Sequence, residues 1–376
     1  MPIRLEELAG VEIVHYAAPG VLVWSRANVV TVEAGGRRRR FALPNPGWRA
    51  LASWSRLARR AARLDKCNPF PVFEGGRLAA VVAIRLGEVY RIDLDSGEVT
   101  ATLRLRNCRN VLHQSICVTP KGYLYFGEYG TNPDYRPVPV YRSRDGGRSW
   151  EVAHEFPAGA VRHVHGCFWD PHGRRVWVAT GDGKGEAYLV SGDEELNDLR
   201  FYGDGSQDYR TICPFFLEDA VVWGMDTDLA APHLCRLDRA SGRLEKLRRF
   251  PGPVWYGKEL ADGWRVLATA TEARPGTSDD RAHLFVSRDA LEWREVLVAD
   301  HDGLPKRIFK SGVISFGDGP QTSDSFYLSA EALRSMDGRS FRCSLTAAAR
   351  QGLHAGALRP HEARVRRGAG EPVAAA

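Results

Sequence analysis

The chain has 376 residues, of which 44% are hydrophobic and 26% charged, with 52 Lys+Arg against 46 Asp+Glu for a formal net charge of +6. That balance excludes wholesale disorder and the collagen and coiled-coil compositions. No apolar run approaches the ~18 residues of a membrane span, and the opening MPIRLEELAGVEIVHY carries acids where a secretion signal needs an apolar core, so a cytoplasmic protein is expected.

In chain order, the first strand-rich unit covers 11–43 and turns at Gly35-Gly36. The stretch 48–66 follows, with Trp48, Leu51, Trp54, Leu57, Ala61 and Leu64 at helical spacing and Arg49, Arg56, Arg59, Arg60 and Arg63 around them. It predicts a basic amphipathic helix packed on the rest of the chain by its apolar side; a protein partner or membrane surface is the alternative occupant of that side. Further units cover 68–106, 110–156, 163–204, 210–250, 255–300 and 309–345. Each alternates apolar and polar residues in short runs, such as EVYRIDL then EVTATLRL, or VPVYRS then SWEVAHEF. The tail 347–376, rich in Ala, Arg and Gly, is predicted to be disordered. Much of the positive charge sits in the 48–66 stretch and this tail, so the basic balance reflects local patches and no nucleic-acid partner is expected. The seven cysteines form no CxxC and read as buried free thiols.

One turn organises the chain. Ser143-Arg-Asp145-Gly-Gly147-Arg-Ser-Trp150 has the form S-x-D-x-G-x-x-W, with shorter copies at Ser191-Gly-Asp193, Ser287-Arg-Asp289-Ala-Leu-Glu-Trp293 and Ser335-Met-Asp337-Gly-Arg-Ser-Phe341. These fall on a 48-residue register, and Asp95-Ser-Gly97 and Asp238–Gly242 fill its gaps. An aspartate can accept hydrogen bonds from its own turn, a glycine supplies positive φ, and a tryptophan then pins the hairpin. Four antiparallel strands per unit, repeated radially, predict an all-β fold: a seven-bladed β-propeller (six blades being the alternative count) forming one domain over 1–346, with one short helical insert.

The S-x-D-x-G-x-x-W motif resembles the Asp-box, or BNR, repeat of sialidase-like propellers. The run FGEY…YRSRDGGRSWEV…FPAG…RHVHG…TGD is similar to bacterial BNR-repeat proteins. The resemblance implies a carbohydrate-active propeller. In sialidases an arginine triad binds the sugar carboxylate, a Tyr–Glu pair is the nucleophile and an Asp is the acid/base; Arg210 matches one triad position and Glu128–Tyr129 the pair. Sialidases have six blades, however, and their F/Y-R-I-P segment is replaced here by Asn68-Pro-Phe-Pro71, so true sialidase activity is not expected.

Propellers take ligands where the innermost strands begin and the second strands end. The first set gives Asn68, His113 with Gln114, His163 with His165, Arg210, Lys258 and Lys310; the second gives Arg85, Glu128 with Tyr129, Asp182, Asp226 and Glu272. From this ring Glu128, Asp182, His165 and Asp226 are the candidates for moving protons. The candidate binders of substrate are His113, Tyr129, His163, Arg210, Lys258, Glu272 and Lys310. The expected ligand is a carbohydrate or another small acidic molecule, cleaved by hydrolysis or elimination. A non-catalytic propeller that binds a glycan or a protein is the alternative. No cofactor is expected, and the alternative is a divalent metal on His113, His163 and His165, with Gln114.

Overall fold

The computed structural model describes residues 2–64, 66–272 and 276–350. Among them the strands form seven four-stranded antiparallel sheets, the blades of a propeller. Six blades take four consecutive strands each, over 13–42, 69–104, 117–156, 163–205, 215–249 and 254–300. The seventh takes three, Val313–Phe316, Phe326–Glu331 and Arg339–Leu345. Its fourth and outermost strand is Ile3–Glu7 from the N-terminus, with Ile3 opposite Leu345 and Glu7 opposite Phe341. The ring is thus closed by the first residues of the chain, which the sequence reading left outside the blades.

Second strands of the blades are buried on both faces, and their sequences are correspondingly continuous rather than alternating. The strand Arg77–Arg85 reads RLAAVVAIR and is buried from Ala79 onward. Outermost strands such as Glu151–Phe156 are mostly solvated. The core lies between blades: Val82, Ile84 and Val89 of blade two pack with Leu124, Phe126 and Tyr141 of blade three.

In blades two to six the recurring turn joins the third and fourth strands, but the copy at Ser335–Phe341 joins the second and third strands of blade seven and so lies at the opposite end, where Asp337 meets Arg56 of the insert. In blade three Asp145 Oδ1 accepts from the backbone N–H of Arg148 at 3.0 Å and of Ser149 at 2.9 Å, and Gly147 N donates to Ser143 Oγ at 2.8 Å. Gly147 has φ +83°, and a Cβ there would lie 2.3 Å from Cγ2 of Val82 in blade two, so both conformation and space require glycine. Trp150 donates from Nε1 to Thr102 Oγ1 at 3.1 Å and meets Phe126 edge-on at 5.0 Å, half-buried rather than enclosed. Asp193 and Asp289 accept from their own turns in the same way. In blade two that acceptor is Asp93 rather than Asp95.

The insert is two short helices, Trp48–Ala52 and Arg56–Ala62, rather than one; it packs on the propeller as expected, but mainly through arginines, with Leu64 alone of the expected apolar set fully buried. Its arginines face the propeller: Arg59 and Arg60 are 3% and 2% exposed. Arg59 donates to Glu12 at 2.5 Å, Arg60 to Asp302 at 2.5 Å and to the carbonyl of Phe309 at 2.8 Å, and Arg56 pairs with Asp337 at 3.0 Å. Trp48, Leu51 and Trp54 are instead 59%, 77% and 90% exposed. The propeller offers carboxylates at this place, and a buried carboxylate left without a counter-charge costs more than an exposed leucine.

Residues Ala347–Arg350 form one helical turn, and the rest of the expected disordered tail lies outside the described residues. All seven cysteines are free and buried. No helix among the described residues is long and apolar enough to cross a membrane.

Candidate functional site

Because the third-to-fourth hairpins occupy one end of blades one to six, second-strand ends and inter-blade connections occupy the other. A cavity of about 1340 Å³ opens there, between the helical insert and blades three, four, six and seven. Its floor includes Tyr129, Asp182, Trp255 and Tyr256. Eight arginines and lysines line it: Arg63 and Lys66 after the insert, Arg106 and Arg109 between blades two and three, Arg162 before blade four, and Lys306, Arg307 and Lys310 before blade seven. Four carboxylates oppose them, from Asp182, Glu272, Asp280 and Glu331.

At the blade-four wall, His163 and His165 both point to Asp182. Pairing slips between Val164 and Gly166, so His165 is the extra residue of a bulge, a device that re-aims a side chain. His163 Nδ1 lies 2.7 Å from the carbonyl of Gly130, and His165 Nδ1 lies 3.0 Å from that of Thr211. Carbonyls only accept, so both Nδ1 atoms carry protons. The Nε2 atoms face Asp182, His163 at 3.3 Å from Oδ2 and His165 at 3.0 Å from Oδ1. Beneath them Arg210 reaches Asp182 Oδ1 at 2.8 Å, Asp228 at 3.0 Å and Asp226 at 3.5 Å. Burial opposes ionisation of Asp182, but the adjacent His163 and His165 outweigh it and hold the carboxyl well below the usual range. Asp226 is shifted the other way, its burial outweighing the attraction of Arg210. Tyr129 covers the pair, its ring 4.3 Å from that of His163, and burial followed by Asp182 pushes its hydroxyl up.

Across the cavity Glu331 is 4% exposed, with Lys310 at 3.4 Å, Arg56 at 3.7 Å and His113 at 4.0 Å. Burial again works against the carboxylate, but Lys310 and Arg56 outweigh it and hold Glu331 down. Lys66 stands 5.7 Å from the Tyr129 ring, and burial, then Lys310, brings its ammonium down to about 8.

Of the expected residues, the cavity wall brings together Tyr129, His163, Asp182, Glu272 and Lys310. His165, Arg210 and Asp226 lie behind it, in contact with Asp182 or with one another. Glu128 is turned away: its carboxylate accepts from the backbone N–H of Arg106 at 2.6 Å and Asn107 at 2.7 Å, and from the Tyr141 hydroxyl at 3.0 Å, which clamps the connection between blades two and three. Lys258 sits within the strand Val254–Glu259 and donates to the carbonyl of Gly319 at 2.8 Å. His113 lies in the loop before blade three, its ring 5.7 Å from His15 and 5.8 Å from Tyr256, and burial followed by Lys66 pushes it down to about 3. Among the described residues the ligand atoms that converge within 4.8 Å belong to His163, His165 and Asp182, so the metal set expected from sequence loses His113 and gains Asp182. Asn68 and Arg85 are structural, bound to the carbonyls of Val111 and Leu112, and to Asn45.

Sequence reasoning missed Arg63, Lys66, Arg106, Arg109, Trp255 and Glu331. The connection R-L-R-N-C-R-N was the available signal, since a propeller puts every link from a fourth strand to the next first strand on this face.

No protein-family model matches the sequence, and no curated protein does. Solved structures do match. A GH74 xyloglucanase from Xanthomonas campestris superposes with TM-score 0.56 at 14% identity over 89% of this chain, which spans about half, 53%, of the xyloglucanase chain. An oligogalacturonate lyase from Vibrio parahaemolyticus gives TM-score 0.51 at 10% identity, covering 93% of this chain and 98% of its own. A chain of a mitotic checkpoint complex also gives TM-score 0.51 at 10% identity, over 92% and 94% of the two chains. At such identities the likeness concerns the propeller fold alone.

Proposed function

We propose that this propeller is a carbohydrate-active protein that takes an acidic saccharide into the cavity beneath the helical insert. The observation that carries the reading is the composition of the wall: eight basic side chains against four carboxylates, around the aromatic rings of Tyr129, Trp255 and Tyr256. Guanidinium and ammonium groups suit sugar carboxylates, and aromatic rings suit the apolar faces of pyranose rings. At about 1340 Å³ the space exceeds the ~300–1,000 Å³ of a drug-sized site and fits more than one sugar ring. Two of the solved propellers of similar fold are named as a xyloglucanase and an oligogalacturonate lyase, which is consistent with the reading.

Cleavage by elimination is the chemistry these groups favour. Hydrolysis by two carboxylates needs one that can deliver a proton. Asp182 is held ionised by His163, His165 and Arg210, so it does not deliver that proton. In elimination a base removes the proton on the carbon next to the carboxylate, its electrons form a carbon–carbon double bond, and the glycosidic C–O bond breaks as the leaving oxygen is protonated. Lys66, brought to about 8 by burial, is a wall group that can take that proton in its neutral form. A panel of acidic and neutral polysaccharides, incubated with the full chain, tests this by the ultraviolet absorbance of the unsaturated product. Absorbance growing with uronate polymers supports elimination. New reducing ends without absorbance would replace it with hydrolysis, binding without either product leaves a lectin-like propeller, and no interaction with any acidic glycan rejects the reading.

A further inference from the structure

We propose that His163, His165 and Asp182 form a binding site for one divalent transition-metal ion at the cavity wall. Both Nδ1 protons are committed to backbone carbonyls, those of Gly130 and Thr211. With Nδ1 committed, each imidazole has Nε2 alone to offer at Asp182, as a lone pair toward a shared cation.

The spacing fits an ion at their meeting point. Two donor atoms each about 2.1 Å from one metal lie roughly 3.0–3.4 Å apart in tetrahedral or octahedral geometry. The observed separations from Asp182 are 3.3 Å for His163 Nε2 and 3.0 Å for His165 Nε2, and all three ligand atoms lie within 4.8 Å of one another. A second observation points the same way: His163 is 3% exposed, and its Nε2 has no hydrogen-bond partner. The surroundings are those of ligands held in place. Backbone carbonyls orient both rings, and Arg210 anchors Oδ1 of Asp182 at 2.8 Å, leaving Oδ2 directed at His163.

Two imidazoles and one carboxylate suit zinc, manganese, iron or cobalt rather than calcium or magnesium, which take oxygen ligands. Three protein ligands leave coordination positions open. His163 and Asp182 both line the cavity, so those positions face it. The site does not depend on the saccharide reading and stands or falls separately from it.

The test is titration of chelator-treated full-length chain with cobalt(II) and zinc(II), read by calorimetry and by the visible spectrum of bound cobalt. The expected result is one ion per chain, with visible bands of nitrogen–oxygen coordination displaced by zinc. Affinity should fall at least tenfold in each of His163→Gln, His165→Gln and Asp182→Asn. Nitrogen NMR of the imidazoles adds a readout that does not depend on a variant folding: both Nε2 resonances should shift when zinc is added to the native chain. No uptake by the folded native chain, uptake unchanged in all three variants, or Nε2 resonances that stay protonated and unmoved by zinc would each overturn the site, and the last would show that the imidazoles are charged partners of Asp182.

Discussion

Arg210 joins Asp182 by an ion pair of 2.8 Å beneath the cavity floor, and the same guanidinium reaches Asp228 at 3.0 Å. One buried cation thereby serves carboxylates from two blades and fixes the wall that His163 and His165 share. Removing one partner of a buried ionic cluster leaves the others uncompensated. Arg210→Met should lower stability by about 3–5 kcal/mol, read by chemical denaturation, whereas Arg210→Lys should recover part of that loss. Equal stability of Arg210→Met and the native chain would show that the cluster is solvated.

Closure by the N-terminal strand gives a second expectation. Deleting residues 2–8 removes the ladder between Ile3–Glu7 and Arg339–Leu345 and exposes an unpaired edge. Thermal unfolding should move down by several degrees and the protein should associate more readily. A melting curve unchanged by the deletion would mean that the strand contributes nothing to closure.

The turn of blade three separates conformation from packing. Gly147→Ala forces a side chain into positive φ and against Val82, for a cost of about 2–4 kcal/mol. Trp150→Ala removes a half-buried ring, so about 2–3 kcal/mol is expected rather than the ~3–5 of a fully enclosed aromatic. Denaturation of the two variants checks the order, which reverses if the ring rather than the turn governs the hairpin.

The blades were readable in the sequence because turn chemistry is local: Asp145, Gly147 and Trp150 act within or beside their own hairpin, and the 48-residue register repeats that hairpin through blade six, while its last copy, at Ser335, falls at the other end of blade seven. The strand of His163 and His165 and the position of Asp182 followed from the same register. Other contacts depend on residues distant in the chain. The partners of Arg59 and Arg60 are Glu12 and Asp302, and no pattern within 48–66 reveals that these charges face inward while Trp48, Leu51 and Trp54 do not. Glu128 fell on an expected second-strand end, but the N–H groups of Arg106 and Asn107 turn it away from the cavity.

Acid should weaken the fold through Glu331. Its carboxyl is depressed in the folded chain, so the stability it contributes is complete above the ordinary carboxylate range and is lost as pH falls below about 4. Glu331→Gln should be less stable than the native chain at neutral pH, and the difference should shrink in acid. A difference that does not depend on pH would remove the ionic account.

Ligand binding should respond on the alkaline side. Lys66 faces Lys310, Arg63, Glu331 and the ring of Tyr129, and it is a cation only below about 8. Affinity for an acidic saccharide should therefore be constant below that value and decline above it, by roughly tenfold for one lost charge-assisted contact. Lys66→Gln should bind more weakly at neutral pH and lose the decline. A native profile flat through that range would exclude Lys66 from the contact.

The comparison that bears most directly on the cavity's role is calorimetric binding of one acidic oligosaccharide and its carboxyl-reduced, neutral counterpart to the native chain. With eight basic groups around the space, the acidic form should bind at least about tenfold tighter, and Arg63→Gln with Lys310→Gln should abolish that preference. Equal affinity for the two forms, or tighter binding of the neutral one, would contradict an anion-selective saccharide site.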